Sequence, residues 1–325
     1  MVSANPRGFL VAAVLVGALL TACSSSTSST PTASPTSPPA SAGNSGTAAP
    51  ASSASGNLSG KLTIAGSSAL QPLVDQAAKT FQTTNKNVQI TVSAGGSGSG
   101  RTGACNGSLD IGMSDVPLTD QEKSSLNCSD AVSTAVAIEA FALAANQKGP
   151  GSVKALTKEQ MQGIFGGTIT NWSQVGGDNQ GVVLVNRLKG SGTRQSMANY
   201  LYDGDDSKFA TGASEEDNSQ TVANTVGQTP GAVSYLGLAF LSNPGLATMG
   251  IQDGGSVLMP THDTVAQGQW PIGGPGLAIT KGGANQLETA FLTYMISPDF
   301  EKDPIWDNLG FIPPANPKIG NPTGT

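Results

Sequence analysis

Charge is scarce in this 325-residue chain: 12% of its residues are Asp, Glu, Lys or Arg, against about 25% in a typical soluble domain. Positive charge is the scarcer sign. Sixteen Lys and Arg face 22 Asp and Glu, for a net charge of −6 and a sequence pI of about 4.7. Nucleic-acid binders carry a basic footprint, so that class of partner is not expected. Long apolar runs are missing too. The stretch Phe9 to Ala22 has 14 residues, where a spanning helix takes about 20. Histidine is reduced to His262, and cysteine to three residues. Glycine, by contrast, is abundant at 42 residues. The length predicts about two domains of roughly 150 residues each.

The apolar stretch follows a lone positive charge, Arg7, and ends in Leu20-Thr21-Ala22-Cys23. That ending resembles a bacterial lipobox, which implies a signal peptide over 1–22 and a lipid-modified Cys23 at the new N-terminus. Each buried CH₂ adds about 0.8 kcal/mol, so two or more acyl chains anchor stably where one does not. Losing Arg7 takes the net charge from −6 to −7. Residues 23–57 then carry no charge, no aromatic and no large aliphatic side chain. Such a segment cannot bury enough apolar surface to offset its chain entropy, and it reads as a disordered Ser/Thr/Pro/Ala tether. With Cys23 given to lipid, Cys105 and Cys128 remain, and outside the cytoplasm two leftover cysteines pair more often than not. No metal site and no cofactor are expected.

From Lys61 onward short apolar strands alternate with helical periods. Lys61–Ala65, Val88–Val92 and Leu109–Met113 read as strands. Leu70, Leu73, Val74, Ala77, Ala78 and Phe81 fall on one face of a helix, with Ser67 or Ser68 as its cap. Val132–Ala145 is a nearly continuous apolar stretch, long enough for two strands or for one that crosses between lobes. Thr157-Lys158-Glu159-Gln160 is a capping box opening a helix to Phe165. Further on, 182–186, 232–236 and 277–280 read as strands, and 193–202, 220–226 and 287–295 as helices. The order predicts an α/β fold with largely parallel sheets.

Three Ser/Gly segments sit where strands end: Gly66-Ser67-Ser68, the run Gly95-Gly96-Ser97-Gly98-Ser99-Gly100, and Arg187-Leu188-Lys189-Gly190-Ser191-Gly192-Thr193-Arg194. Ligands of open α/β sheets bind at the carboxyl ends of strands. Helix N-termini and glycine-rich turns there present free N–H groups that suit a tetrahedral oxyanion. The hydroxyls of Ser68, Ser97, Ser191 and Thr193 add donors, and Arg187 adds a fork for two oxygens. Asp115 follows the third strand. A carboxylate beside a bound anion repels it unless the anion brings a proton to donate, as phosphate does near neutral pH and sulfate does not. Asp115 is therefore the expected selector of phosphate over sulfate.

Gly66-Ser67-Ser68-Ala69-Leu70-Gln71-Pro72, the Gly-Ser run, Ser114-Asp115-Val116-Pro117-Leu118 and Arg187-x-x-Gly190-Ser191-Gly192-Thr193-Arg194 together resemble the phosphate-binding lipoproteins of phosphate ABC importers. The resemblance covers about residues 60–315. It implies a type II periplasmic-binding-protein fold, with two lobes joined by a hinge: lobe one from 58–139 plus 270–325, lobe two from 140–269. It also implies that Ser68, Ser97, Asp115, Arg187, Ser191, Gly192 and Thr193 bind phosphate in the cleft, with Ser67, Ser99 and Arg194 as further candidates. A membrane permease and its ATPase would receive the ion. One departure stands out. Some members carry an acid two residues after the binding arginine, where this chain has Lys189.

Other readings find less support. Gly98-Ser99-Gly100-Arg101-Thr102-Gly103 matches G-x-G-x-x-G, but five residues before the strand at Leu109 leave no room for the crossover helix of a dinucleotide fold. A surface hydrolase or phosphatase lacks G-x-S-x-G and the P-loop motif, and His262 reads as a loop residue. A surface scaffold would not need the full donor set with Asp115. A sulfate-like oxyanion remains the alternative ligand.

Overall fold

A computed structural model describes residues 58–314. The expected signal peptide (1–22), Cys23 and the tether (23–57) lie outside the described residues. The chain begins with β1 (Ser59–Gly66), α1 (Gln71–Thr84), β2 (Asn87–Ala94), α2 (Ser97–Asn106), β3 (Ile111–Ser114) and α3 (Asp120–Ser125). β4 (Val132–Asn146), β5 (Ala155–Leu156), α4 (Lys158–Phe165), β6 (Val183–Arg187), α5 (Gly192–Tyr202), β7 (Ser214–Glu216), α6 (Ser219–Gln228) and β8 (Ala232–Gly237) follow. Then come β9 (Leu246–Asp253), β10 (Ser256–Leu258), α7 (His262–Ala266), β11 (Gly273–Thr280), α8 (Gln286–Met295) and α9 (Ile305–Leu309). Among the described residues no helix is long and apolar enough to cross a membrane.

The helices start where local chemistry stops the chain from continuing as strand. Thr157 accepts from the Gln160 N–H while Gln160 reaches back, closing the capping box of α4. The cap of α1 is not Ser67 or Ser68 but Leu70, without a side-chain cap bond; Ser67 Oγ instead accepts from the N–H groups of Ala69 and Leu70 in the turn that leads in. The α1 stripe is buried as the period predicts. It packs with Phe291 and Met295 of α8 and with Leu62 and Ile64 of β1 into one hydrophobic cluster. A second cluster gathers Phe141, Leu143, Trp172, Leu201 and Tyr235.

The strands run in the order β2-β1-β3-β11-β4-β8-β6-β7, with β9 also on β4. The sheet is mixed rather than largely parallel. β1, β2 and β3 are parallel to one another, as are β6, β7 and β8. β11 is antiparallel to both β3 and β4, and β4 to both β8 and β9. The reason is the 15-residue β4. It is a single strand that pairs with β11 as far as Ala140 and with β8 from Phe141 onward. β11, reached only after β5 to α7, lies beside the first part of β4 and runs antiparallel to it.

The Gly-Ser run is not a turn throughout: from Ser97 it forms the start of helix α2. Its glycines serve close packing. A Cβ on Gly100 would lie 2.2 Å from the Met113 carbonyl oxygen, and one on Gly112 would lie 2.1 Å from the Gly100 oxygen. Gly66, at φ +137°, would put its Cβ 2.9 Å from Gly100 Cα. Backbone therefore lies on backbone where β1, β3 and α2 meet, which side chains would forbid. Cys105 at the end of α2 is bonded to Cys128, Cα to Cα 5.2 Å, inside a small cluster with Ala104, Leu118 and Ile279. Closing that 23-residue interval stabilises by about 3 kcal/mol. Replacing both cysteines by serine should thus lower the Tm by about 6–12 °C in a calorimetric scan.

Candidate functional site

The residues that end β1, β3, β6 and β7 meet at one buried point. Arg187, the last residue of β6, is 1% exposed. Its Nη2 donates to Ser68 Oγ and to the Asp217 carbonyl, both at 3.1 Å. Its Nη1 donates to Ser219 Oγ at 3.3 Å and Thr193 Oγ1 at 3.4 Å. Nε reaches the Glu216 carbonyl at 3.4 Å. These two carbonyls, supplied where β7 turns into α6, orient the guanidinium. Lys189 is exposed and has no part in it. Burial pulls the Arg187 pKa down, and the Asp115 charge opposes that.

Asp115 is also buried. Its Oδ2 accepts from Thr193 Oγ1 at 3.1 Å, and its backbone N–H donates to Ser97 Oγ at 3.1 Å. Burial raises its pKa, while the Ser67 hydroxyl, the Arg187 charge and the Thr193 hydroxyl pull it back. Ser68 Oγ, besides meeting Arg187, accepts from the Ser219 N–H at 3.0 Å. Ser191 caps α5 by accepting from the Arg194 N–H, which leaves the N–H groups of Gly192 and Thr193 at the helix start. Gly192 must be glycine: a Cβ there would sit 2.4 Å from Ser97 Oγ and 2.8 Å from Asp115 Cβ. A backbone bond from Gly98 N–H to the Gly190 carbonyl, 2.8 Å, ties the start of α2 to the turn before α5. Three helix N-termini, those of α2, α5 and α6, thus converge on the guanidinium and carboxylate.

Ser67, Ser68, Ser97, Asp115, Arg187, Ser191, Gly192 and Thr193 are brought together. Ser99 and Arg194 are not. The Ser99 hydroxyl turns back onto the Gly95 and Gly96 carbonyls, because α2 starts two residues earlier and directs Ser97, not Ser99, inward. Arg194 is a strut: it pairs with Asp206 and with Glu215 at 2.8 Å, donates to the Arg187 carbonyl at 2.6 Å, and lies over the Phe209 ring. His262 heads α7 rather than a loop, and its Nε2 is 3.3 Å from Asp307 Oδ1, apart from the cluster. Two participants escaped the sequence reading. Ser219 starts α6 one turn-residue after the Asn218 cap, a signal that Asn218-Ser219-Gln220-Thr221 does carry. Glu139, in the middle of β4, is 3% exposed and borders Asp115.

Likeness to known proteins gives the family and the fold. The PBP superfamily domain matches residues 45–299. The phosphate-binding protein PstS of Bacillus subtilis (strain 168) is 39% identical over 261 residues, 80% of this chain and 83% of its own. The chain belongs to the PstS family of the PBP superfamily. A phosphate ABC transporter substrate-binding protein of Clostridium perfringens, solved with bound phosphate, superposes with a TM-score of 0.70 at 24% identity over 78% of this chain and 99% of its own. An ABC-type phosphate transport receptor of Vibrio cholerae gives 0.60 at 25% identity over 77% and 99%. The fold is accordingly the α/β, type II periplasmic-binding-protein fold.

Proposed function

We propose that this chain is the extracytoplasmic phosphate-binding protein of an ABC importer, a binding protein and not an enzyme. It captures one phosphate ion between Ser68, Ser97, Asp115, Arg187, Ser191, Gly192 and Thr193, and delivers it to a membrane permease driven by an ATPase. Cys23 carries the lipid that anchors it, and residues 23–57 hold the folded part away from the membrane. Residues 58–139 with 270–325 form one lobe and 140–269 the other, hinged where β4 changes partners and where the chain enters β11. The observation that carries the reading is the buried Arg187–Asp115 arrangement, ringed by hydroxyls and helix N-termini. It offers positive charge and donors to an oxyanion, plus a carboxylate whose spare lone pair suits an oxyanion that brings a proton. A net charge of −7 after processing does not prevent capture, since distant charges are screened beyond about 8–10 Å at physiological salt.

Calorimetric titration of the full chain, stripped of anions, tests this. One site of micromolar or tighter affinity for phosphate, with sulfate silent, is expected. Binding of sulfate alone makes it a carrier of another oxyanion, and binding of neither turns the assignment toward a scaffold. Gly192→Ala, whose methyl would collide with Ser97 and Asp115, should weaken phosphate binding by at least about 1 kcal/mol; unchanged affinity in the same titration would place the ion elsewhere.

A further inference from the structure

Glu139 is a carboxyl in the wrong company. It lies in β4 among Ile138, Ala140 and Phe141, opposite Gly274 of β11. Neither of its carboxyl oxygens has a hydrogen-bond partner, and Asp115 Oδ1 has none either. All three orphaned acceptors belong to two carboxyls that face each other. The wall around Glu139 is tight. A Cβ on Gly276 would lie 2.9 Å from Glu139 Oε1 and 2.8 Å from Leu70 Cδ1. The titratable and charged groups bearing on the pair are few. β11 offers none, being Gly-Gly-Pro-Gly-Leu-Ala-Ile-Thr. Neither does the Ser67–Leu70 turn before α1. Arg187 of β6 acts on Asp115, and Tyr235 of β8 acts on Arg187.

Two buried carboxylates in contact cannot both stay ionised, and one proton shared between them resolves the conflict. We propose that Glu139 is a positioning residue for the phosphate site: it keeps a proton at neutral pH and donates it to Asp115 Oδ1, which fixes that carboxylate and leaves the pair with a single negative charge. One proton then satisfies Asp115 Oδ1 and one Glu139 oxygen together. The direction of its ionisation agrees: burial first, then the neighbouring Asp115 charge, hold the Glu139 pKa well above the ordinary carboxylate range. The single charge matters for the ligand. A pair carrying two negative charges would oppose an incoming anion, whereas one carboxylate with Thr193 on Oδ2 and Glu139 on Oδ1 still has a lone pair for a P–OH. A hydrogen-bonded Asp115 also cannot rotate away from its acceptor position.

This inference rests on the phosphate reading, and the test separates the two. Infrared difference spectra of the full chain at pH 7, unsubstituted minus Glu139→Gln, read the proton directly and need no ligand. A protonated-carboxyl C=O band present in the unsubstituted protein and lost in Glu139→Gln is expected. Calorimetry then reads the consequence: Glu139→Gln, whose amide can donate in the same place, should bind phosphate within threefold of the unsubstituted protein, and Glu139→Leu should lose at least tenfold. Absence of the infrared band, or Glu139→Gln binding as weakly as Glu139→Leu, overturns the proposal. Should Glu139→Leu not fold, the band and the Glu139→Gln affinity decide alone. Failure of the unsubstituted protein to bind phosphate overturns the functional reading and Glu139's service to it, and the band still shows where the proton sits.

Discussion

Replacing Arg187 by alanine should reduce phosphate affinity by about 2–5 kcal/mol, which at 1.4 kcal/mol per decade is roughly thirtyfold to several thousandfold. The loss exceeds that of a typical surface charge for three reasons. The guanidinium is almost wholly buried, so its field is little screened by water. It is already held by the Glu216 and Asp217 carbonyls, so little freedom remains to be lost when an anion arrives. It is also the charge that faces Asp115. Without it, the carboxylate would lose the positive group that opposes its burial and would stand alone against the ligand. Arg187→Lys should recover only part of the affinity, because an ammonium cannot present two coplanar donors to two oxygens. Calorimetric titration of both variants, with thermal scans to establish folding, measures this. A folded Arg187→Ala protein that binds phosphate within threefold of the original would remove Arg187 from the site.

Much of that site was readable from the chain. α1 announced itself by the spacing of Leu70, Leu73, Val74, Ala77, Ala78 and Phe81, since a 3.6-residue period leaves few alternatives. Ser68, Ser97, Asp115, Arg187 and Thr193 stood out because donors and glycines clustered at strand ends. What escaped notice did so for physical reasons. The glycines of α2 look like a loop because glycine disfavours helix, yet here they remove side chains between backbones in contact. Ser99 and Ser97 are alike in composition, and only the helix start decides which points inward. The acceptors that orient Arg187 are main-chain carbonyls, which every residue has and which leave no mark on a sequence. Glu139 was the detectable omission. A single acid in a stretch of buried apolar residues is costly unless paired, and its presence in β4 pointed to a partner across the sheet.

Asp115→Asn should convert the site from one that selects phosphate to one that accepts sulfate. In the unsubstituted protein Oδ2 accepts from Thr193, and under the proposed function a remaining lone pair of the Asp115 carboxylate is what a bound anion would meet. Phosphate answers with P–OH. Sulfate brings only lone pairs, so a buried charge is left unpaired against a second one, at a cost of about 3–5 kcal/mol. An asparagine in that place removes the charge and can turn its amide to donate. The phosphate-to-sulfate affinity ratio should then fall by about a hundredfold or more, mostly through gain of sulfate binding. The pH dependence gives the same result by another route. Burial raises the Asp115 pKa, so as pH falls through that raised value the carboxylate takes a proton and becomes, like asparagine, a neutral group able to donate. Sulfate binding by the unsubstituted protein should therefore appear on acidification and stay absent at higher pH. Asp115→Asn should bind sulfate with no such onset. Titrations of both proteins with sulfate at neutral and acid pH distinguish the cases, and a selectivity ratio that Asp115→Asn leaves intact would transfer the selector role to another group of the cleft.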